Sequence, residues 1–304
     1  MTSGLLLVDK PRGVTSHDVV ARARRLLGTR KVGHAGTLDP MATGLLLLGV
    51  DSSTRLLTYL VGLDKEYTAT IRLGEATDTD DAEGDIVETQ SASEVTDAAI
   101  ATGVARLTGP IEQVPSTFSA IKVDGRRAYD RARAGEEVDL KARPVVIRAF
   151  DVLDVRRDAA TVDVDVRVVC SSGTYIRALA RDLGRDLGAG GHLTALRRTE
   201  VGPFSVADGV TLPDPRSDPD AAAAFDGDAA LLDPADVASR LFPVLRLDLD
   251  AARDLVHGKR VEVDAPDADI VAALTPDGRL AALVELRRGR ARVLLGLPTQ
   301  EVLP

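Results

Sequence analysis

Cysteine is nearly absent from this chain. Cys170 is the only one in 304 residues, which excludes an internal disulfide framework and any thiolate cluster for zinc or iron–sulfur. Histidine is sparse too: His17, His34, His192 and His257 are scattered with no i, i+4 pair, so a catalytic zinc site has no ligand pattern to build on. The longest apolar runs, Leu5 to Val8 and Gly44 to Val50, fall far short of the ~20 residues that span a bilayer. The first is followed at once by Asp9 and Lys10, without the apolar core and cleavage site of a signal peptide. A reducing, cytoplasmic setting with no membrane contact is expected. No G-x-x-x-x-G-K-[ST] loop occurs, and the glycines around Gly188-Ala189-Gly190-Gly191 lack the strand-then-helix context of a dinucleotide fingerprint. Cofactor-dependent redox chemistry therefore has no support, and neither a cofactor nor a metal is expected.

What is present is an ordinary globular composition, 44% hydrophobic and 28% charged, at a length that allows two domains. The net charge of −9 argues at first against a polyanionic partner, since phosphate binding depends on a positive field. The charge is not spread evenly. Gly74 to Ala105 holds nine carboxylates and no Lys or Arg, and Ser205 to Ser239 holds eight Asp and one Arg. Without these segments 37 basic and 30 acidic residues remain, a balance of +7, and the objection to nucleic acid lapses. The first segment, with its TDTDDAEGD run, lacks calcium-loop spacing and is expected as a solvated hairpin or loop. The second, rich in Pro and Asp, is expected as a linker or mobile excursion.

Periodicity supplies the elements. Leu5 to Val8, Leu45 to Val50, Tyr67 to Leu73, Val145 to Val155 and Thr161 to Val169 read as strands, with Val162, Val164, Val166 and Val168 on one face and charged residues on the other. Thr15 and Asp18 form a capping box ahead of an apolar face from Val19 to Leu27, and Ile176, Leu179, Ala180, Leu183 and Leu187 form a second helical stripe. The expected fold is α+β with a mixed, largely antiparallel sheet. From Phe242 onward, short strands with turn signals predict a small β-rich second domain.

The chemistry-bearing segment is Gly33-His34-Ala35-Gly36-Thr37-Leu38-Asp39-Pro40. Its Gly, Asp and Pro are turn formers, and a plain tight loop accounts for them. An ionised Asp in a partly closed loop is also a competent nucleophile or base. Together with Asp64-Lys65-Glu66-Tyr67, Cys170-Ser171-Ser172-Gly173-Thr174-Tyr175-Ile176-Arg177 and His192 to Arg198, all in order, this segment resembles the TruB family of tRNA pseudouridine synthases. The opening LLLVDKPRGVTSHDVV and Pro115 to Lys122 fit as well, so the resemblance covers about Leu5 to Arg198, and several ordered motifs are far more specific than one.

The resemblance implies a pseudouridine synthase fold in 1–240, with a thumb-like insertion at about 115–143 and the acidic linker at 205–239, then a PUA-like RNA-binding domain in 241–304. It implies isomerisation of uridine 55 in the T-arm loop of tRNA, with Asp39 as nucleophile at either base C6 or ribose C1′. His34, Tyr67, Tyr175, Leu196 and Arg177 map to the substrate pocket: Tyr67 stacks on the extruded base, and Arg177 pairs with Asp39 and keeps it ionised. Arg181 and Arg185, by contrast, fit a solvated helical face. Lys10, Arg30, Lys31, Lys122, Arg126 and Arg127 are candidate RNA contacts. Neither an obligate protein partner nor an oligomer is implied. The rivals are a catalytic subunit of a guide-RNA-directed complex, a non-catalytic tRNA-binding or tRNA-folding protein, and a two-carboxylate glycoside hydrolase.

Overall fold

The computed structural model describes residues 3–117 and 140–303, and the backbone alone at 122–123 and 126–127. Its frame is a ten-stranded sheet whose main path places, side by side, Leu231–Leu232, Gly4–Lys10, Thr43–Val50, Gly191–Val201, Lys65–Leu73, Val162–Cys170, Arg143–Arg157 and Gly109–Gln113. Neighbours on this path run antiparallel except Gly191–Val201 against Thr43–Val50. The expected α+β, largely antiparallel fold is the observed one.

Strict alternation does the placing. Lys65, Tyr67, Ala69, Ile71 and Leu73 point inward and the residues between them outward, as do alternate residues of Val162–Cys170, because successive side chains of a strand face opposite sides. The outer face is laced by Arg72–Asp163 at 2.8 Å, Thr70–Asp165 at 2.7 Å and Arg167–Glu66 at 2.6 Å. The inner face is covered by helix Ile176–Asp186, whose Ile176, Leu179, Ala180 and Leu183 join the core beneath Tyr67 and Val168. The capping box holds: Thr15 caps helix Ser16–Leu26 and Asp18 reaches back to the Thr15 amide at 2.9 Å.

Two parallel pairs, Arg197↔Thr43 and Arg198↔Gly44, bring the last long strand against the first hairpin. The approach needs a glycine. Gly44 sits at φ +99, and a Cβ there would lie 2.2 Å from the Arg198 carbonyl oxygen.

A second, five-stranded sheet runs Val244–Arg246, Ala268–Leu274, Leu280–Arg287, Arg290–Gly296 and Val261–Glu262 in spatial order. It shares a hydrophobic cluster with the large sheet, where Leu5, Leu45 and Val201 meet Ala272, Leu280 and Leu283 through Ala235 and Val237.

The acidic segment 205–239 is not the mobile excursion that its composition suggested. Val210 exchanges backbone bonds with Leu7 at 2.9 Å and Asp9 at 3.0 Å, Leu212 is 3% exposed, and Leu231–Leu232 extends the sheet edge. Its few apolar residues anchor the segment while its carboxylates stay outside. Asp214 also takes Arg22 at 3.0 Å, so that arginine serves the fold.

Candidate active site

Asp39 lies in the loop between strand Val32–Ala35 and strand Thr43–Val50. The loop is fastened at nearly every residue. Ser16 Oγ donates to the Leu38 carbonyl at 3.1 Å and accepts from the Leu38 amide at 2.9 Å, and the Gly13 amide donates to the Pro40 carbonyl at 2.8 Å. Lys10 Nζ donates to the carbonyls of Pro11, Val14 and Pro40 at 3.0, 2.7 and 3.3 Å. Lys10 is 0% exposed, and burial pulls its pKa down to about 8. The expectation that Lys10 meets RNA is therefore corrected: its ammonium is used up by three main-chain carbonyls beneath the loop.

Arg177 is the second residue of helix Ile176–Asp186, whose N-cap is Tyr175. The Tyr175 amide donates to Gln113 Oε1 at 2.9 Å, and Gln113 Nε2 returns a bond to the Tyr175 carbonyl at 3.1 Å. This fixed start aims a 4% exposed guanidinium side chain at two carboxylates: Nε reaches Asp39 Oδ2 at 2.9 Å and Nη1 reaches Asp81 Oδ2 at 3.3 Å. Nη1 also donates to the Thr79 carbonyl at 2.8 Å. Asp81 is held in turn by Thr79 Oγ1 at 2.8 Å and the Glu83 amide at 3.0 Å.

The TDTDDAEGD run is thus not merely a solvated loop. Asp80 and Asp81 are buried at 8% and 3%, and Asp81 belongs to the site. In the sequence nothing separates it from its acidic neighbours; a buried arginine able to serve two anions selects it. Arg181 is corrected as well. It is bound to Asp80 and Asp182, both at 3.1 Å, and to the Val114 carbonyl at 2.6 Å, while Arg185 does lie on the surface, 71% exposed beside Asp182.

A cavity of about 270 Å³ opens above this pair, walled by Asp39, Tyr67, Tyr175, Leu196, Lys65 and Arg198 among others. The Asp39 side chain keeps 37% of its surface, yet its pKa is raised, first by burial and also by Asp81, against the pull of Arg177. The two facts agree in a concave site, where a ligand can reach the carboxylate but protein surrounds it. Pairing with Arg177 is present as expected, but on balance burial prevails and ionisation is disfavoured.

The structure brings Asp39, Tyr67, Tyr175, Arg177 and Leu196 to one cavity. Tyr67 is 8% exposed, and burial pushes its phenol pKa up. His34 is not on the cavity wall. It stands two residues before the loop, half-buried, edge-to-face with His17 at 5.6 Å between centroids, and burial and His17 lower its pKa. Arg30 and Lys31 are exposed but precede strand Val32–Ala35, a strand's length of about 13 Å from the loop. Lys122, Arg126 and Arg127 have only backbone described, in a short hairpin pairing Lys122 with Arg127; their side chains lie outside the described residues. On and beside the five-stranded sheet, Lys259, Arg290 and Arg292 pair with Asp254, Glu262 and Glu285 at 2.8, 3.5 and 2.8 Å, so these cations are matched by carboxylates.

Two further wall residues were missed as site residues. Lys65, 6% exposed, donates to the carbonyls of Val61 and Leu63 at 2.6 Å each, and burial and Arg198 lower its pKa to about 8. Arg198, 1% exposed, donates from Nε to the Leu45 carbonyl at 2.7 Å and from Nη2 to the Gly36 carbonyl at 3.2 Å. Both sit at inward strand positions, and that parity was the available signal.

The sequence model of the TruB family pseudouridylate synthase N-terminal domain matches residues 24–176. The chain belongs to the TruB family. Two C-terminal models follow in order, a tRNA pseudouridylate synthase B C-terminal domain over 177–219 and a tRNA pseudouridine synthase II C-terminal domain over 242–298. The chain is 57% identical to tRNA pseudouridine synthase B of Leifsonia xyli subsp. xyli, across 99% of this chain and 98% of the relative. It is 54% identical to tRNA pseudouridine synthase B of Thermobifida fusca, across 96% and 97%. Among solved structures, one chain of a Cbf5-Nop10-Gar1 complex superposes with a TM-score of 0.72 at 26% identity, over 98% of this chain and 86% of that one. The TruB family fold is therefore shared well beyond its close sequence relatives.

Proposed function

We propose that this chain isomerises uridine 55 in the T-arm loop of tRNA to pseudouridine, with Asp39 as the nucleophile. The observation that carries the reading is the Asp39–Arg177–Asp81 constellation facing a cavity walled by two tyrosines, in a chain 57% identical over nearly its whole length to tRNA pseudouridine synthase B. The reaction breaks the N1–C1′ bond of the nucleotide and makes a C5–C1′ bond, with a proton leaving C5 and one gained at N1. Composition and oxidation state are unchanged, so the chemistry needs a nucleophile, a way to hold the loosened base, and proton transfer.

The first two needs have residues on the cavity wall. Asp39 is accessible and fixed by its loop and by Arg177. Tyr67 and Tyr175 offer ring faces and edges to a base taken out of its stack, and Leu196 closes the wall against water. His34, beside the loop but off the cavity, suits a contact with neighbouring RNA. The high identity to tRNA enzymes, set against 26% identity to a chain of the Cbf5-Nop10-Gar1 complex, favours a protein that acts on tRNA by itself over a guide-RNA-directed subunit; the same reading takes it to be a cytoplasmic monomer. Within this reading 1–240 carries catalysis and 241–304 assists RNA binding.

A T-arm stem-loop transcript incubated with the purified protein and no other factor tests this. Pseudouridine at the target uridine, lost in Asp39→Asn while RNA binding persists, supports it. Binding without product in the parent protein would favour the non-catalytic alternative, and full turnover in Asp39→Asn would remove Asp39 from its role.

A further inference from the structure

Arg177 and Arg181 stand four residues apart on helix Ile176–Asp186, so they share one face of it. They meet consecutive carboxylates of the acidic turn: Arg177 Nη1 reaches Asp81 Oδ2 at 3.3 Å and Arg181 Nη1 reaches Asp80 Oδ2 at 3.1 Å. Successive side chains of an extended chain point to opposite sides, so two neighbours can face one helix only where the chain departs from that form. It does so at Asp80, which has φ +61. A residue with a Cβ keeps this left-handed conformation only where its surroundings hold it, Asp and Asn most readily.

The two sides of the turn are held differently. Toward strand Gly191–Val201 the hold is main chain, with the Leu193 amide donating to the Asp80 carbonyl at 3.1 Å. Toward the helix it is the two arginines. Arg181 is itself fixed without the turn: Nε donates to Asp182 Oδ1 at 3.1 Å and Nη2 to the Val114 carbonyl at 2.6 Å, beside Gln113, whose side chain seats Tyr175. Neither Arg181 nor Asp80 lines the cavity, and their side chains are 26% and 12% exposed. A cation pinned through two nitrogens and offering the third to Asp80 gives the turn a fixed reference on the same helix as Arg177.

We propose that Arg181, through Asp80, is a positioning residue for the isomerisation: it sets the 80–81 turn along the helix so that Asp81 meets Arg177, which is thereby aimed at Asp39. This inference rests on the isomerase reading above and adds to it two residues behind the cavity wall.

The test uses Arg181→Lys, which keeps the charge and loses the planar fork that serves three partners, and Asp80→Gly, which suits the left-handed backbone and removes only the carboxylate. Each is made alone and with Asp81→Asn. Single-turnover rates on the T-arm stem-loop are compared with RNA affinity, and nitrogen-labelled arginine reports the Arg177 Nε–H by NMR, assigned with Arg177→Lys. The expected result is a rate about 10- to 100-fold lower in either single variant, the scale of a small misplacement made away from the chemistry. Affinity should be nearly unchanged and the Arg177 signal displaced. In the Asp81→Asn background the same substitutions should cost clearly less, and Asp80→Asn, which keeps an oxygen for Arg181, should fall between the parent and Asp80→Gly. An unmoved Arg177 signal, equal losses in both backgrounds, or variants that lose thermal stability at an unchanged rate would overturn the proposal. If Arg181→Lys does not fold, the Asp80 variants carry the test. A parent protein without isomerase activity would remove the underlying reading instead, and the Arg177 signal still judges the link from Arg181 through Asp80 to Arg177.

Discussion

Arg177→Met is the most informative single perturbation of the site. Methionine fills similar space but removes the cation held between Asp39 and Asp81, and the donor to the Thr79 carbonyl. The Arg177 and Asp81 side chains are 4% and 5% exposed, so this is a buried pair, and breaking such a pair from one side costs about 3–5 kcal/mol because a charge is stranded. The Asp39 share is smaller, since its side chain is 37% exposed and solvent screens it. The loss should therefore come mainly from Asp81. Adding Asp81→Asn removes the stranded charge, so the double variant should regain part of the loss, with a coupling of about 1–3 kcal/mol for residues in contact. Urea denaturation of the parent, both single variants and the double variant at neutral pH measures this directly. A cost below about 1 kcal/mol for Arg177→Met, or strictly additive losses, would refute a buried Asp39–Arg177–Asp81 unit.

Three more outcomes follow from the geometry. Asp39 has a folded-state pKa above its ordinary value, so the stability that its neutral form contributes is full below the unfolded pKa and is lost as pH rises through the folded one; at neutral pH Asp39→Asn should melt above the parent while losing turnover, and a lower midpoint would contradict the direction. Lys10→Met strips the donor from three loop carbonyls and should cost about 1–3 kcal/mol, yet leave the salt dependence of tRNA binding unchanged; a log–log slope weaker by about 0.9 would mean that Lys10 contacts a phosphate after all. Gly44→Ala combines φ +99 with a Cβ 2.2 Å from backbone oxygen, worth about 1–3 kcal/mol for the conformation alone before the clash is added, so a thermal midpoint equal to the parent's would show the two strands to be less closely held than described.

Much of the frame was legible because period-2 burial writes itself into composition. The valines of Val162–Cys170 and the alternation of Lys65–Leu73 gave strands whose inward faces are the buried ones, and the Thr15 capping box is local chemistry that needs no tertiary partner. The Asp39–Arg177 pairing came from family motifs and is present in the fold. What periodicity could not supply was the fate of charges. Lys10 reads as a surface cation, and only the convergence of two carbonyls of its own turn, Pro11 and Val14, with the distant Pro40 makes its burial tolerable. Asp81 is one of nine carboxylates in its segment, distinguished only once Arg177 approaches it from the other side of the chain. Arg197 and Arg198 are identical neighbours in sequence, yet one turns outward to Asp9 at 2.7 Å and the other inward to the loop. The anchoring of segment 205–239 is illegible for a related reason, because average composition hides the few apolar residues, such as Leu212, that hold it to the sheet.

If this protein rewrites one defined uridine through Asp39, an unmodified tRNA transcript treated with the purified protein will carry the product. Pseudouridine mapped by carbodiimide adducts and primer extension should give a single stop at uridine 55, present with the parent protein and absent with Asp39→Asn. No stop with folded, tRNA-binding protein, or stops at uridines outside the T-arm loop, would contradict it.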